Sequence, residues 1–172
     1  VTGRYSPLGV LEKKIVNSPA YIGAELYLRK KKNWKYSADF LEHSLQDNPS
    51  DLYYGNKSAL AKKLKKSRKI RNKVKKFKKS NYLAKKYSIS FKHGDMFGAF
   101  HNVDLYIDRF KKGKINCVLK DYYDFSYEKY NSFINIANNY EWVCQAFKIS
   151  NGYHITVEMK FKDRKNKNKD LI

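Results

Sequence analysis

Two carboxylates and two phenols fall within four residues, at Asp121, Tyr122, Tyr123 and Asp124. Groups of these types at this spacing can share a proton, hold a divalent cation, or set a base beside a phenolic donor. The alternation Ile115, Cys117, Leu119 carries Asp121 and Tyr123 along one face of a strand, with Asp124 on the other face or at the turn out of it. A carboxylate that continues an apolar face must be given partners, because burying it bare is costly. Asp124 has a second reading, as the cap of a helix starting near Ser126. Of the histidines flanking this stretch, His93, His101 and His154, the candidate is His101. It would open a strand on the Val103 face, and antiparallel pairing sets the opening of one strand near the end of the next, hence near Asp121 and Tyr123. A histidine beside a carboxylate and a phenol can pass protons near neutral pH, although a single histidine is as readily structural. His43 belongs to a helix and has no visible partner.

Two hairpin strands and a third are needed to position these groups. Val103, Leu105 and Ile107 alternate with polar residues, Lys111-Lys-Gly113 makes a turn, and Ile115, Cys117 and Leu119 alternate on the way back. A further strand runs through Tyr153, Ile155, Val157, Met159 and Phe161, entered by the Asn151-Gly152 turn signal. Between them Tyr130, Phe133, Ile134, Ala137, Tyr140, Cys144 and Phe147 recur at three and four, which predicts a helix over 127–147 lying on the sheet. Upstream, Ser6-Pro7 and Ser18-Pro19 each predict a short helix, and Ser37 caps a third carrying Phe40, Leu41 and Leu45. Gln46-Asp-Asn-Pro-Ser-Asp51 is a turn by composition.

Charge is concentrated in one segment. The 172 residues carry 37 Lys and Arg against 16 Asp and Glu, a net of +21. Fifteen of the basic residues fall within 57–86, which contains no acid. Leu60, Leu64, Ile70, Val74 and Phe77 form the apolar stripe of an amphipathic helix there, with Ser58 as its cap. The outer face, with Lys62, Lys65, Lys66, Arg68, Lys69 and Arg71, joined by Arg109 from the hairpin, is a candidate phosphate-binding surface. A solvated face in a Lys-rich chain is the other explanation. The expected organisation is a helical lead-in over 1–56, a basic arm over 57–86, and a sheet with one helix over 87–172.

Several function classes are excluded. No Gly-rich phosphate loop, Gly-x-Ser-x-Gly elbow, His-Glu-x-x-His or Cys-x-x-Cys pair occurs. Cys117 and Cys144 have no metal-ligand spacing and fall on apolar faces, so both read as core thiols, with a single buried bridge as the alternative. No apolar run reaches the length of a membrane span, and there is no signal peptide. The chain starts at Val1 rather than Met, which fits a C-terminal module of a larger protein.

Asp121-Tyr-Tyr-Asp-Phe125 resembles the Asp-x-Tyr-Asp-Phe catalytic stretch of colicin M-like bacteriocins. Gly94-Asp95, then Gly98-Ala99-Phe100 and the hairpin, is similar to that family's order. The turn at 46–51 with Tyr54-Gly55-Asn56 is similar to stretches in C-terminal toxin domains of polymorphic and contact-dependent systems. The likeness covers roughly residues 41–160. It implies a helical lead-in followed by a small antiparallel, partly open β-barrel with one packed helix, of the α+β class. It also implies hydrolysis of the lipid-linked peptidoglycan precursor at its pyrophosphate, with a Mg²⁺ requirement, and places Asp121, Tyr123 and Asp124 in the active site. The family's following His-Arg pair is missing, because Ser126-Tyr-Glu-Lys-Tyr-Asn131 stands there. Either His101 or Arg109, with Lys129, supplies those groups, or the scaffold is shared and the reaction is not.

The expected function is therefore an antibacterial toxin domain, secreted within a larger protein and delivered into a target bacterium. The leading mechanism is hydrolysis of the lipid-linked precursor in the periplasm. The alternatives are cleavage of tRNA or other RNA in the cytoplasm, and action without catalysis by binding nucleic acid or an anionic membrane. An acidic immunity protein is the expected partner, and Asp121 and Asp124 the expected ligands of any metal.

Overall fold

The computed structural model describes residues 26–46, 48–110, 113–124 and 151–163. The expected helices after Pro7 and Pro19, the helix over 127–147 with Cys144, and the C-terminal tail lie outside the described residues. The fold is α+β: helices with one open, five-stranded sheet of order β1-β5-β4-β3-β2. Two compact units make up the chain.

The first unit comprises residues 1–50, 92–101 and 122–153. Its described elements are α1 (Tyr27–Lys31, a single π-helical turn), α2 (Lys35–Ser44) and α5 (Asp95–Phe100). Arg29 forks onto α2, with Nη1 2.6 Å from Asp39 Oδ1 and Nη2 2.7 Å from Glu42 Oε2. Ser37 does not cap α2, as its side chain suggested. The helix begins two residues earlier, after Trp34, which offers no side-chain acceptor. The first-turn amide of Ser37 instead donates to Asp95 Oδ1 at 2.9 Å, while Ser37 Oγ donates to the Asp95 carbonyl at 2.8 Å. A carboxylate from the distant α5 thus supplies the acceptor that a helix start needs, and its charge suits that end of the dipole. The other end of α2 is closed by Asn151, whose amide N–H donates to the Ser44 carbonyl and whose side chain donates to that of Gln46. Phe40 is fully buried at the centre, edge-on to Phe100 at 5.5 Å and to Tyr123 at 5.8 Å.

The second unit comprises residues 51–91, 102–121 and 154–172. It holds α3 (Ala59–Lys66), α4 (Arg68–Lys79), β1 (Leu52–Tyr54), β2 (Ala84–Ser90) and nearly all of β3 (Asn102–Phe110), β4 (Lys114–Tyr123) and β5 (Tyr153–Lys162). The sheet is mixed rather than antiparallel throughout. β2, β3 and β4 pair antiparallel, but β1 pairs parallel to β5, with Tyr53 opposite Thr156. β1 is only three residues long and falls within the segment expected to be helical. Asp51 and Asn56 flank it and accept the β5 amides that β1 does not reach, those of His154 at 2.9 Å and Lys160 at 2.7 Å. Side chains thereby finish an edge that would otherwise present unpaired donors.

Alternation decides the faces. Tyr87 and Ile89, then Val103, Leu105 and Ile107, then Ile115, Cys117 and Leu119, then Ile155, Val157 and Met159 are all buried. Gly113, at φ +66°, makes the β3–β4 turn in a backbone region that favours glycine. The basic arm is two helices rather than one. Ser67, with ψ 127°, breaks it between Leu64 and Ile70, whose spacing of six is off the helical repeat. Ser58 does cap α3, accepting the Ala61 amide at 3.1 Å. Leu60, Leu64, Ile70, Val74 and Phe77 are buried as the stripe predicts, and α4 packs on β2.

Candidate functional site

The residues singled out for chemistry divide between the two units. Asp121 belongs to the second unit and is half-buried at the end of the Ile115–Leu119 face. Tyr122, Tyr123 and Asp124 belong to the first. Tyr123 is a core aromatic, tilted on Tyr153 with ring centroids 5.2 Å apart as well as edge-on to Phe40. Asp124 is exposed. Its suggested role as a cap for a helix near Ser126 lies outside the described residues.

His101 does not open the strand. It terminates α5 at φ +34°, its amide donating to the Phe97 carbonyl at 2.9 Å, and β3 starts one residue later. The side chain is exposed, with its ring edge-on to Phe97 at 5.0 Å. His43, which had no visible partner in the sequence, has three. Its Nε2–H donates to the Ser50 carbonyl at 2.8 Å, its Nδ1 accepts from Gln46 Nε2 at 3.1 Å, and its ring packs edge-on to Tyr153 at 4.5 Å. Both bonds suit one tautomer. Among the described residues, no three His, Cys, Asp or Glu side chains come together as metal ligands.

In the second unit the phosphate-binding candidates sort by what else they hold. Lys62, Lys66, Arg68 and Arg71 are exposed on α3 and α4, as are Lys63, Lys75, Lys76 and Lys79. Lys69 is exposed and reaches the Ser90 carbonyl. Lys65 is half-buried, donating to Asn56 Oδ1 at 3.3 Å with its ammonium 5.6 Å from the Phe161 ring centroid. Arg109 is differently employed. Its Nη2 donates to the carbonyls of Phe77, Lys78 and Ser80 at 3.2, 3.2 and 2.8 Å, its Nε lies 3.4 Å from Asp163 Oδ2, and its plane stands over the Phe77 ring. It closes the C-terminal end of α4, where last-turn carbonyls lack helical partners and a cation is favoured. So occupied, the guanidinium clamps the end of the helix.

Sequence reasoning missed the aromatic residues interleaved with this charge. Lys85 Nζ sits 3.9 Å from the centroid of Tyr82 and 5.8 Å from that of Tyr87, and Lys73 Nζ 5.4 Å from Tyr87. On β3, Tyr106 has Lys86 and Lys120 at 5.6 and 5.7 Å. Asp104, 2.7 Å from Lys86, raises that ammonium's pKa above its ordinary value. Tyr53 is exposed, and hydrogen bonding to Glu158 raises its phenol's pKa. A pattern of Tyr beside Lys across 82–87 was the available signal. No helix among the described residues is long and apolar enough to cross a membrane. Comparison with known protein families, with curated proteins and with solved structures finds no match.

Proposed function

We propose that this chain is the effector domain of an antibacterial toxin whose target is a phosphate polymer, RNA being the one its surface suits best. The observation that carries this reading is the division of α3 and α4 into two faces. Every apolar residue of the stripe is buried, and the opposite face carries exposed lysines and arginines with no acid in 57–86. Such a face binds phosphates by releasing their counterions, so affinity should fall steeply with salt, with a log–log slope of about −4 for six contacts on a single strand. The domain is secreted within a larger protein and delivered to the cytoplasm of a target cell. An acidic immunity protein that covers α3 and α4 would neutralise it.

A second reading rests on the Asp121-x-Tyr123-Asp124-Phe125 motif and the exposure of Asp124. In it the substrate is the lipid-linked peptidoglycan precursor, with the periplasm as the site of action.

Growth of bacteria making the chain in the cytoplasm, or exporting it to the periplasm, separates the two. Each arm uses the native sequence, an α4 variant with Lys75, Lys76 and Lys79 changed to Gln, Asp124→Asn and His101→Ala. Arrest from the cytoplasm with intact envelopes, relieved by the α4 variant, is the expected result. Lysis on export alone, abolished by Asp124→Asn, would replace the first reading with the second. Toxicity that resists Asp124→Asn and His101→Ala but not the α4 variant would make the domain a binder that acts by occupancy.

A further inference from the structure

We infer that the loop between α4 and β2 is a base-stacking platform on which Tyr82 takes the face of an unpaired base, so that the polymer gripped by α4 is single-stranded nucleic acid. This rests on the polyanion reading above and narrows its substrate class.

Four observations lead there. Tyr82 is 50% exposed and Leu83 78%, two large apolar side chains held in water directly after the most basic helix of the chain. Together they form a small exposed apolar patch that a planar partner can cover. The Lys85 ammonium lies over one face of the Tyr82 ring, 3.9 Å from its centroid, so a base would take the opposite face with a phosphate-seeking cation across the ring from it. Lys73 and Lys85 both reach the buried ring of Tyr87, which anchors two cations beside the loop without adding a second stacking surface. No acid occurs in the sequence between Asp51 and Asp95, and the acid nearest in register is Asp108, across from Ala84.

The loop is also rigid where it must be. Arg109 Nη2 donates to the Ser80 carbonyl at 2.8 Å, and the Arg109 amide donates to the Leu83 carbonyl at 2.8 Å. Ser80 Oγ donates to the Phe77 carbonyl at 2.7 Å. One β3 residue therefore holds both ends of the segment that presents Tyr82, and a pre-ordered ring binds without a further entropic cost. Base–aromatic stacking of this kind tolerates any sequence and adds to a basic track that follows the backbone.

A lipid surface suits this patch less well. The apolar stripes of α3 and α4 are spent inside the fold, which leaves only Tyr82 and Leu83 to enter a bilayer. Two other exposed tyrosines of this unit, Tyr53 and Tyr106, make weaker platforms. Glu158 stands beside Tyr53, and the Lys86 next to Tyr106 is already paired with Asp104.

The test measures affinity of the full chain for four probes. They are a labelled oligouridylate, an abasic ribose-phosphate strand of equal length, the corresponding duplex, and anionic phospholipid vesicles. Tyr82→Ala should weaken oligouridylate binding about tenfold, the loss of one stack, and leave the abasic strand unchanged, while Tyr82→Trp keeps native affinity. Equal losses on both strands, or none on either, would overturn the platform while leaving the basic surface standing. Failure of the native chain to bind either strand would remove the polyanion reading and the platform together. Vesicle binding lost in Leu83→Ala, with oligouridylate binding intact, would reassign the loop to lipid.

Discussion

Asp95, on α5, accepts the backbone amide of Ser37 in the first turn of α2 at 2.9 Å, across 58 positions of sequence. Both residues are buried, so water cannot replace the bond. Asp95→Ala should therefore destabilise the chain by about 2 kcal/mol, because it strands a buried donor and removes a charge from a helix start. Ser37→Ala, which keeps the amide bond, should cost less. Urea unfolding of both variants decides the order, and the reverse order would mean that the hydroxyl is the dominant link.

Two glycines make opposite predictions. A Cβ on Gly98 would lie 2.6 Å from Ser37 Oγ, a hydroxyl fixed by its bond to Asp95. A Cβ on Gly152 would lie 2.4 Å from the Tyr122 hydroxyl, the far end of an exposed and rotatable side chain. Gly98→Ala should cost about 1–3 kcal/mol, whereas in Gly152→Ala the tyrosine swings aside and the midpoint barely moves. Thermal melts of the pair test this directly.

Arg109 divides a structural reading from a binding one. The carbonyls of Phe77, Lys78 and Ser80 all meet Nη2, a set that an ammonium can partly keep. Lysine has no Nε to face Asp163, however, and no plane to lay on Phe77, so Arg109→Lys should lose about 1 kcal/mol of stability. Hydrogen exchange at the amide of residue 109, which donates to the Leu83 carbonyl, and in the last turn of α4 should quicken with it. A variant of native stability with weakened polyanion binding would instead make Arg109 a phosphate contact.

Burial pushes the Cys117 thiol pKa up to about 12 from 9.0, with Asp108 adding to the rise. The raised value favours the neutral form, so the folded chain keeps this proton after the unfolded chain has lost its own. Stability from this group is complete below pH 9 and falls as pH rises towards 12. Against Cys117→Ala, the native chain should lose about 1.4 kcal/mol more per pH unit through that window. Denaturant titrations at stepped alkaline pH test it, and parallel pH profiles for the two chains would place the thiol outside the core.

Sequence alone determined the elements whose signal is local. Period-two alternation located most of β3, β4 and β5 with their buried faces, since neighbouring side chains in a strand must point opposite ways. The stripe through Leu60, Leu64, Ile70, Val74 and Phe77 located the buried side of the basic arm, and Ser58 its start. The break at Ser67 was legible only as a spacing of six between Leu64 and Ile70. Everything long-range was decided by the tertiary structure. β1 is three residues with no period to detect, and it exists because β5 offers an edge and Asp51 and Asn56 satisfy the amides beyond it. Ser37 looks like a helix cap by type, yet the cap is Asp95, a partner that no local pattern names. Tyr123 reads as a catalytic phenol in its motif and packs as a core ring. Arg109 reads as a phosphate ligand by charge and is consumed by the carbonyls of α4. Charge and residue type are properties of the sequence. Whether a group faces a ligand or another part of the chain depends on which distant donors and acceptors folding brings to it.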